Sequence, residues 1–182
     1  MCGFVVTTDI NNTELMLSKQ AFRGPDAQSF YKDKYIGMGH ALLDINGERQ
    51  VQPYKTKNGN YIVFNGEMYD TTIANDTEYL ANGLETYGVD FLVHNDWHGS
   101  LVWYKPKQKE VFMVRDHFGA KPLWHYQKGS EFTITTSLRS IINGEPDNTH
   151  EMMYRLNSLM EGDECHIKNV RKVAPGEYHT IN

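Results

Sequence analysis

The feature that most restricts this chain is its first seven residues after Met1. Residues 2–8 read CGFVVTT, an apolar and β-branched run without a charge, which predicts a buried strand beginning at the terminus itself. Chain ends are ordinarily left in solvent. A fold that draws one inside must build a sheet around it, with Cys2 at the mouth of that strand.

Further strands are predicted at 35–45, 61–64, 100–104, 110–114 and 131–136, each bounded by Gly, Asn, Pro or Lys-rich turns. Helical spacing is clearest over 76–87, where Asp76 and Thr77 suit a first turn, Leu80, Leu84 and Tyr87 recur on one side, and Gly88 closes. Residues 13–22, 137–142 and 150–160 are further helical candidates, and RGPDAQ at 23–28 reads as a loop. Strands interleaved irregularly with few helices imply an α+β layered architecture rather than a parallel sheet. A chain of 182 residues, 40% hydrophobic, buries one core, so a single domain over 1–182 is expected.

The net charge is −5 and no Lys/Arg block occurs, which argues against nucleic acid or an anionic membrane as a partner. No run approaches the length that spans a bilayer, and the N-terminal residues lack a signal-like pattern. A cytoplasmic protein is expected. Cys2 and Cys165 are the two cysteines, too few for a disulfide framework, and no Cys/His cluster has zinc spacing. Neither a metal nor a cofactor is expected.

Cys2 carries the chemistry. Once Met1 is removed, one residue holds both a thiol and a free α-amine, with typical pKa values of about 8.5 and about 7.7–8.0. The amine can then take the thiol proton at neutral pH, and Gly3 lets other backbone approach closely. In isolation Cys2 reads sooner as a small buried hydrophobe than as a nucleophile, and Asn65-Gly66 as a hairpin turn. The surrounding segments change that balance: MCGF, RGPDAQ, GHALLDI, Gln52-Pro53, NGEMYD, NDTEYL and RDHFGAKPL follow in order.

This ordered set resembles the glutaminase domain of glutamine-hydrolysing asparagine synthetase, a class II glutamine amidotransferase of the N-terminal nucleophile hydrolase superfamily. The resemblance runs from Cys2 to about Tyr178, where VAPGEY looks like the end of the family's domain. It implies a four-layer αββα sandwich of two mainly antiparallel sheets. It implies Cys2 as nucleophile, with the Asn65 side chain and the Gly66 N–H as oxyanion donors, at what is read as the end of the strand over 61–64. It also places Asp76 on the glutamine α-amino group, with Glu67, Leu42 and Ile45 in the substrate-binding stretches. Arg115 and Asp116 read as a buried bridge over Phe118, Pro122 and Leu123, and His40, His98 and His117 as structural singles.

The sequence departs from the family where GHALLDI sets Leu42 in the place of an Arg that grips the substrate α-carboxylate. Losing such a bidentate contact weakens binding by about 1.5–3 kcal/mol. Arg49 or Arg23 compensates, or the substrate's carboxylate is masked or absent, or activity is lost. Asp70 stands where the family usually has Asn, and the stretch from Asp70 to Asp76 is short. There is no Gly-rich phosphate loop of the synthetase half. The expected function is therefore glutamine hydrolysis, with ammonia passing to a separate synthetase chain. The alternatives are a catalytically silent binding or regulatory module of the same fold and an amidase acting on a glutamine-like substituted amide.

Overall fold

The computed structural model describes residues 1–45, 49–69, 74–157 and 162–182, with the backbone alone at 150 and 154–157. Its strands are β1 (Gly3–Thr7), β2 (Ala27–Lys32), β3 (Gly37–Leu42), β4 (Tyr54–Lys55), β5 (Tyr61–Met68), β6 (Trp97–Lys105), β7 (Glu110–Arg115), β8 (Trp124–Lys128), β9 (Glu131–Thr135), β10 (Val170–Lys172) and β11 (Tyr178–Ile181). The helices are α1 (Thr13–Ser18), α2 (Asp76–Tyr87), α3 (Asp90–Val93) and α4 (Asn148–Asn157). One sheet runs β10-β8-β9-β1-β3-β2 and the other β11-β7-β6-β5-β4. Every pairing between named strands is antiparallel.

The period-two alternation of side chains sorts these strands into layers. Phe4, Val6, Met38 and Ile134 of the first sheet meet Val63, Val102, Val111 and Met113 of the second in a core between the sheets. The residues between them point outward. Ile62, Phe64, Leu101, Trp103 and Phe112 pack under Leu80, Ala81 and Leu84 of α2 and Phe91 of α3, while Val5 and Ala41 pack under Met16 and Leu17 of α1. Helix, sheet, sheet and helix give the four-layer αββα sandwich.

β1 lies between β3 and β9 and all five of its residues are buried. Its start is fixed by side chains where the ladder to β9 runs out. Thr136 Oγ1 accepts the Phe4 N–H at 3.1 Å, Gln20 Nε2 donates to the Phe4 carbonyl at 2.9 Å, and Thr136 donates to Gln20 Oε1 at 2.9 Å. This buried network holds the strand entrance, and with it Cys2, in one place.

Several boundaries differ from expectation. The strand over 35–45 is shorter, Gly37–Leu42, and residues 43–45 leave the sheet. The helix over 13–22 ends at Ser18, followed by a 3-10 turn at Ala21–Arg23. Residues 137–142 form only a 3-10 turn at Leu138–Ser140. Described helix α4 covers 148–157, and residues 158–160 of the expected helix lie outside the described residues. Gly24 sits so close to β3 that a Cβ there would lie 2.1 Å from the Ala41 carbonyl oxygen.

The expected Arg115–Asp116 bridge is replaced by two separate backbone clamps. Arg115 donates to the carbonyls of Lys121 (2.7 Å), Val173 (2.9 Å) and Gly119 (2.5 Å). Asp116 accepts the N–H groups of Gly99, Phe118 and Ala120. Backbone groups are the nearer partners in this tight turn, and they engage all three guanidinium nitrogens of Arg115 and both carboxylate oxygens of Asp116. Leu123 is fully buried, as expected, but Phe118 is 84% exposed, its ring edge-on to His117 at the surface.

His40 is structural, as expected. It is fully buried, its Nε2 faces the Phe64 carbonyl at 3.3 Å, and its Nδ1 has no partner. Burial pulls its pKa from 6.5 to about 4. A histidine depressed in the fold contributes stability above its unfolded pKa, and this is lost as pH falls toward the folded value. The unfolding free energy should therefore drop between pH 6.5 and 4, by about 3 kcal/mol from His40 alone. Denaturant titrations across that range check this. A His40→Gln variant should show a shallower fall over the same window.

Candidate active site

Cys2 stands immediately before β1, half-buried. The Leu43 N–H points at its Sγ at 3.4 Å, and Arg23 Nε donates to its carbonyl at 3.1 Å. Burial pushes the thiol up, opposed by the Leu43 N–H, the chain's amino terminus and the Arg23 guanidinium. Met1 lines the same cavity and is 51% exposed. With Met1 in place the Cys2 nitrogen is a peptide nitrogen. Its removal both frees the amine and clears space beside the thiol.

All seven predicted site residues meet in one cavity of about 290 Å³: Cys2, Leu42, Ile45, Asn65, Gly66, Glu67 and Asp76. Asp70 lies outside the described residues. Asn-Gly does not form a turn here, nor does it sit at a strand end. β5 runs on to Met68, with Asn65 opposite Ser100, Gly66 opposite Gly99 and Glu67 opposite His98. Cross-strand pairing with β6 overrides the local turn preference. Gly66 is required by this close approach, since a Cβ on it would lie 2.0 Å from the His98 carbonyl oxygen and 2.7 Å from Gly99 Cα. Gly99 is itself at φ 147°, a backbone that other residues rarely adopt.

Asn65 is 2% exposed and its Nδ2 has no hydrogen-bond partner. An orphaned buried donor costs about 1–3 kcal/mol, and this one lies in the lining of the cavity that holds the Cys2 thiol. Such a donor suits an oxygen that arrives with a ligand.

Asp76 enters the cavity from the other wall. The helix cap is Asn75, whose side chain accepts the Glu78 N–H at 2.9 Å, and Asp76 is the first helical residue. Asp76 Oδ2 accepts the Met68 N–H at 3.1 Å, tying the start of α2 to the end of β5. Burial raises its pKa, the Met68 N–H lowers it, Glu67 raises it and His98 lowers it. His98, expected to be merely structural, thus lies close enough to Asp76 to act on it electrostatically.

The cations proposed to replace the missing Arg are not in the lining. Arg49 donates to the Asp26 carbonyl at 2.7 Å and lies 3.9 Å from Asp44. Arg23 is spent on Cys2 and faces Met1 Sδ at 3.9 Å. Lys121 lines the cavity instead, the one cationic side chain among the described lining residues, and Leu42, also in the lining, is 8% exposed. Lys121 belongs to RDHFGAKPL, read from sequence only as a brace. The Arg115 grip on its carbonyl, visible only in the fold, presents it there. Gln52 also lines the cavity and escaped notice as a site residue.

Comparison with known proteins identifies the family and the fold. The family model described as "Glutamine amidotransferase domain" matches residues 1–182, and the chain belongs to that family. Asparagine synthetase [glutamine-hydrolyzing] 3 of Bacillus subtilis is 26% identical over 174 residues, 81% of this chain and 28% of that protein. Amidase chry2 of Gibberella zeae is 23% identical over 193 residues, 93% of this chain and 28% of that protein. The chain thus spans under a third of the length of either relative. Glutamine phosphoribosylpyrophosphate amidotransferase from B. subtilis superposes with a TM-score of 0.70 at 16% identity, over 100% of this chain and 47% of that one. That likeness is one of fold, and it extends over the whole of this chain. Among the described residues no helix is long and apolar enough to cross a membrane.

Proposed function

We propose that the chain is a glutaminase in which Cys2, freed of Met1, attacks the side-chain amide of glutamine. The thiolate adds to the amide carbon, and the Asn65 Nδ2 and the Gly66 N–H take the oxyanion. The C–N bond breaks as the Cys2 ammonium passes its proton to the departing ammonia. Water then hydrolyses the γ-glutamyl thioester to glutamate and restores the thiol. No cofactor enters this sequence. The observation that carries the reading is the unpartnered Asn65 Nδ2 in the cavity lined by Cys2.

Asp76 takes the substrate α-ammonium, with Glu67 adding negative charge beside it. Lys121 supplies the cation available to the α-carboxylate, while Leu42 and Ile45 offer apolar surface. Cytoplasmic glutamine is the substrate that fits, and the ammonia goes to an acceptor enzyme on another chain, with residues 1–182 acting as a single catalytic domain. Two free cysteines suit a reducing compartment.

A second reading is favoured by Leu42 and by likeness to an amidase: the same chemistry on a glutamine-like amide whose carboxylate is masked. Glutamate release from L-glutamine by the des-Met chain, set against release from γ-amides with esterified carboxylates, separates the two. A folded, processed chain inactive on both overturns the enzyme reading in favour of the silent module.

Asp76→Asn should raise KM for glutamine about 10- to 100-fold, the loss of one charge-assisted contact, with a smaller change in kcat. Because burial raises the Asp76 pKa from its ordinary value and its carboxylate is the form that binds, the fall of kcat/KM on acidification should set in at higher pH than for an ordinary aspartate. The asparagine variant should lose that limb of the pH profile.

A further inference from the structure

Phe64 precedes the oxyanion donor Asn65, and both of its peptide groups face the edge of β5 that β4 no longer covers. β4 pairs only with Tyr61 and Ile62, so at Phe64 the ladder has ended on that side. Two buried side chains take over. Gln52 Oε1 accepts the Phe64 N–H at 2.6 Å, and His40 Nε2 closes on the Phe64 carbonyl at 3.3 Å.

Gln52 does more than satisfy an orphaned amide. Its Nε2 donates to Thr77 Oγ1 in α2 at 3.0 Å, next to Asp76, and its own carbonyl accepts the Ser29 hydroxyl from β2. It is 4% exposed and lines the cavity. One amide therefore spans from the strand that carries Asn65 to the helix that carries Asp76. An amide side chain has both an acceptor and a donor in fixed geometry, which is what a spacer between two such elements needs.

We propose that Gln52 is a positioning residue that sets the distance and aim between the oxyanion donor Asn65 and the ammonium-binding Asp76 through its paired bonds to Phe64 and Thr77. This deepens the glutaminase reading and rests on it. The two bonds make separable contributions. The Phe64 bond governs Asn65 and hence the chemical step, whereas the Thr77 bond governs α2 and hence substrate binding.

The test is a steady-state comparison of the des-Met chain with Gln52→Met, Gln52→Glu and Thr77→Val, with rates normalised to folded protein. Gln52→Met, of similar volume but without either bond, should lower kcat about 10- to 100-fold and also raise KM, as a displacement of about 1 Å at a reacting group does. Thr77→Val should raise KM several-fold with kcat within about twofold, since it cuts only the helix arm. Gln52→Glu, which keeps the acceptor for Phe64, should recover most of kcat. Equal kcat and KM in wild type and Gln52→Met, or an undivided kcat loss in Thr77→Val, would overturn the proposal while leaving the glutaminase reading intact.

Should wild type not turn over glutamine, the failure is of that reading, and the positioning claim is still decided by NMR. The Asn65 side-chain amide resonances should move in Gln52→Met and hold in Thr77→Val. No movement in either variant refutes it. Should Gln52→Met fail to fold, the kcat-against-KM split in Thr77→Val decides.

Discussion

Replacing Cys2 with alanine should bring glutamine hydrolysis to background, a loss of at least about 10⁴-fold in kcat, because Cys2 is the one thiol among the described residues that line the cavity. The other free cysteine, Cys165, is buried beneath Tyr126, Ile141 and Val170, away from this site. The fold should be untouched, since the thiol's contacts are two long interactions with Leu43, at 3.4 and 3.7 Å. A chain kept from losing Met1 should be equally inactive with its thiol intact. There the α-nitrogen is an amide without basicity, and Met1 occupies the cavity. Cys2→Ala fails for want of a nucleophile and the Met1-retaining chain for want of a base. Parallel assays of glutamate release, with the mass of each preparation verified, check both.

Asn65→Ala should lower kcat about 100- to 1000-fold, the usual consequence of removing one oxyanion donor, with little change in KM. Its effect on stability separates function from packing. Removing a hydrogen-bonded buried amide ordinarily costs stability, but Nδ2 here has no partner to lose. The denaturation midpoint should therefore move little while kcat collapses. A large drop in stability with unchanged kcat would mean that Asn65 serves the strand rather than the reaction.

The elements legible in the sequence were those whose pattern is local. CGFVVTT announced β1 because every residue of that strand is buried, and α2 was framed correctly because its first turn, its buried Leu80 and Leu84 and its closing Gly88 all lie within one continuous segment. β2, β4, β8, β10 and β11 were not foreseen. β2 turns Phe30 outward and keeps polar residues among its half-buried positions, so its hydrophobicity does not alternate. β10 is three residues long, and β11 is an edge strand that is mostly exposed.

For the site, the ordered motifs fixed Cys2, Asn65, Gly66 and Asp76, and the fold placed all four in one cavity. What the sequence concealed depends on register between distant segments. Asn65-Gly66 reads as a turn until Gly99 is set opposite Gly66. Lys121 reads as a loop lysine until Arg115 grips its carbonyl. Gln52 acquires meaning only when β4 is seen to stop short of Phe64.

The most direct measurement on the central claim is the intact mass of the processed protein before and after treatment with diazo-oxo-norleucine, a glutamine-like electrophile, with the adduct mapped by fragmentation. A des-Met chain carrying one adduct on Cys2, from a preparation that also releases glutamate from glutamine, is the predicted result. A des-Met, folded chain that takes no label on Cys2 and releases no glutamate would contradict the account.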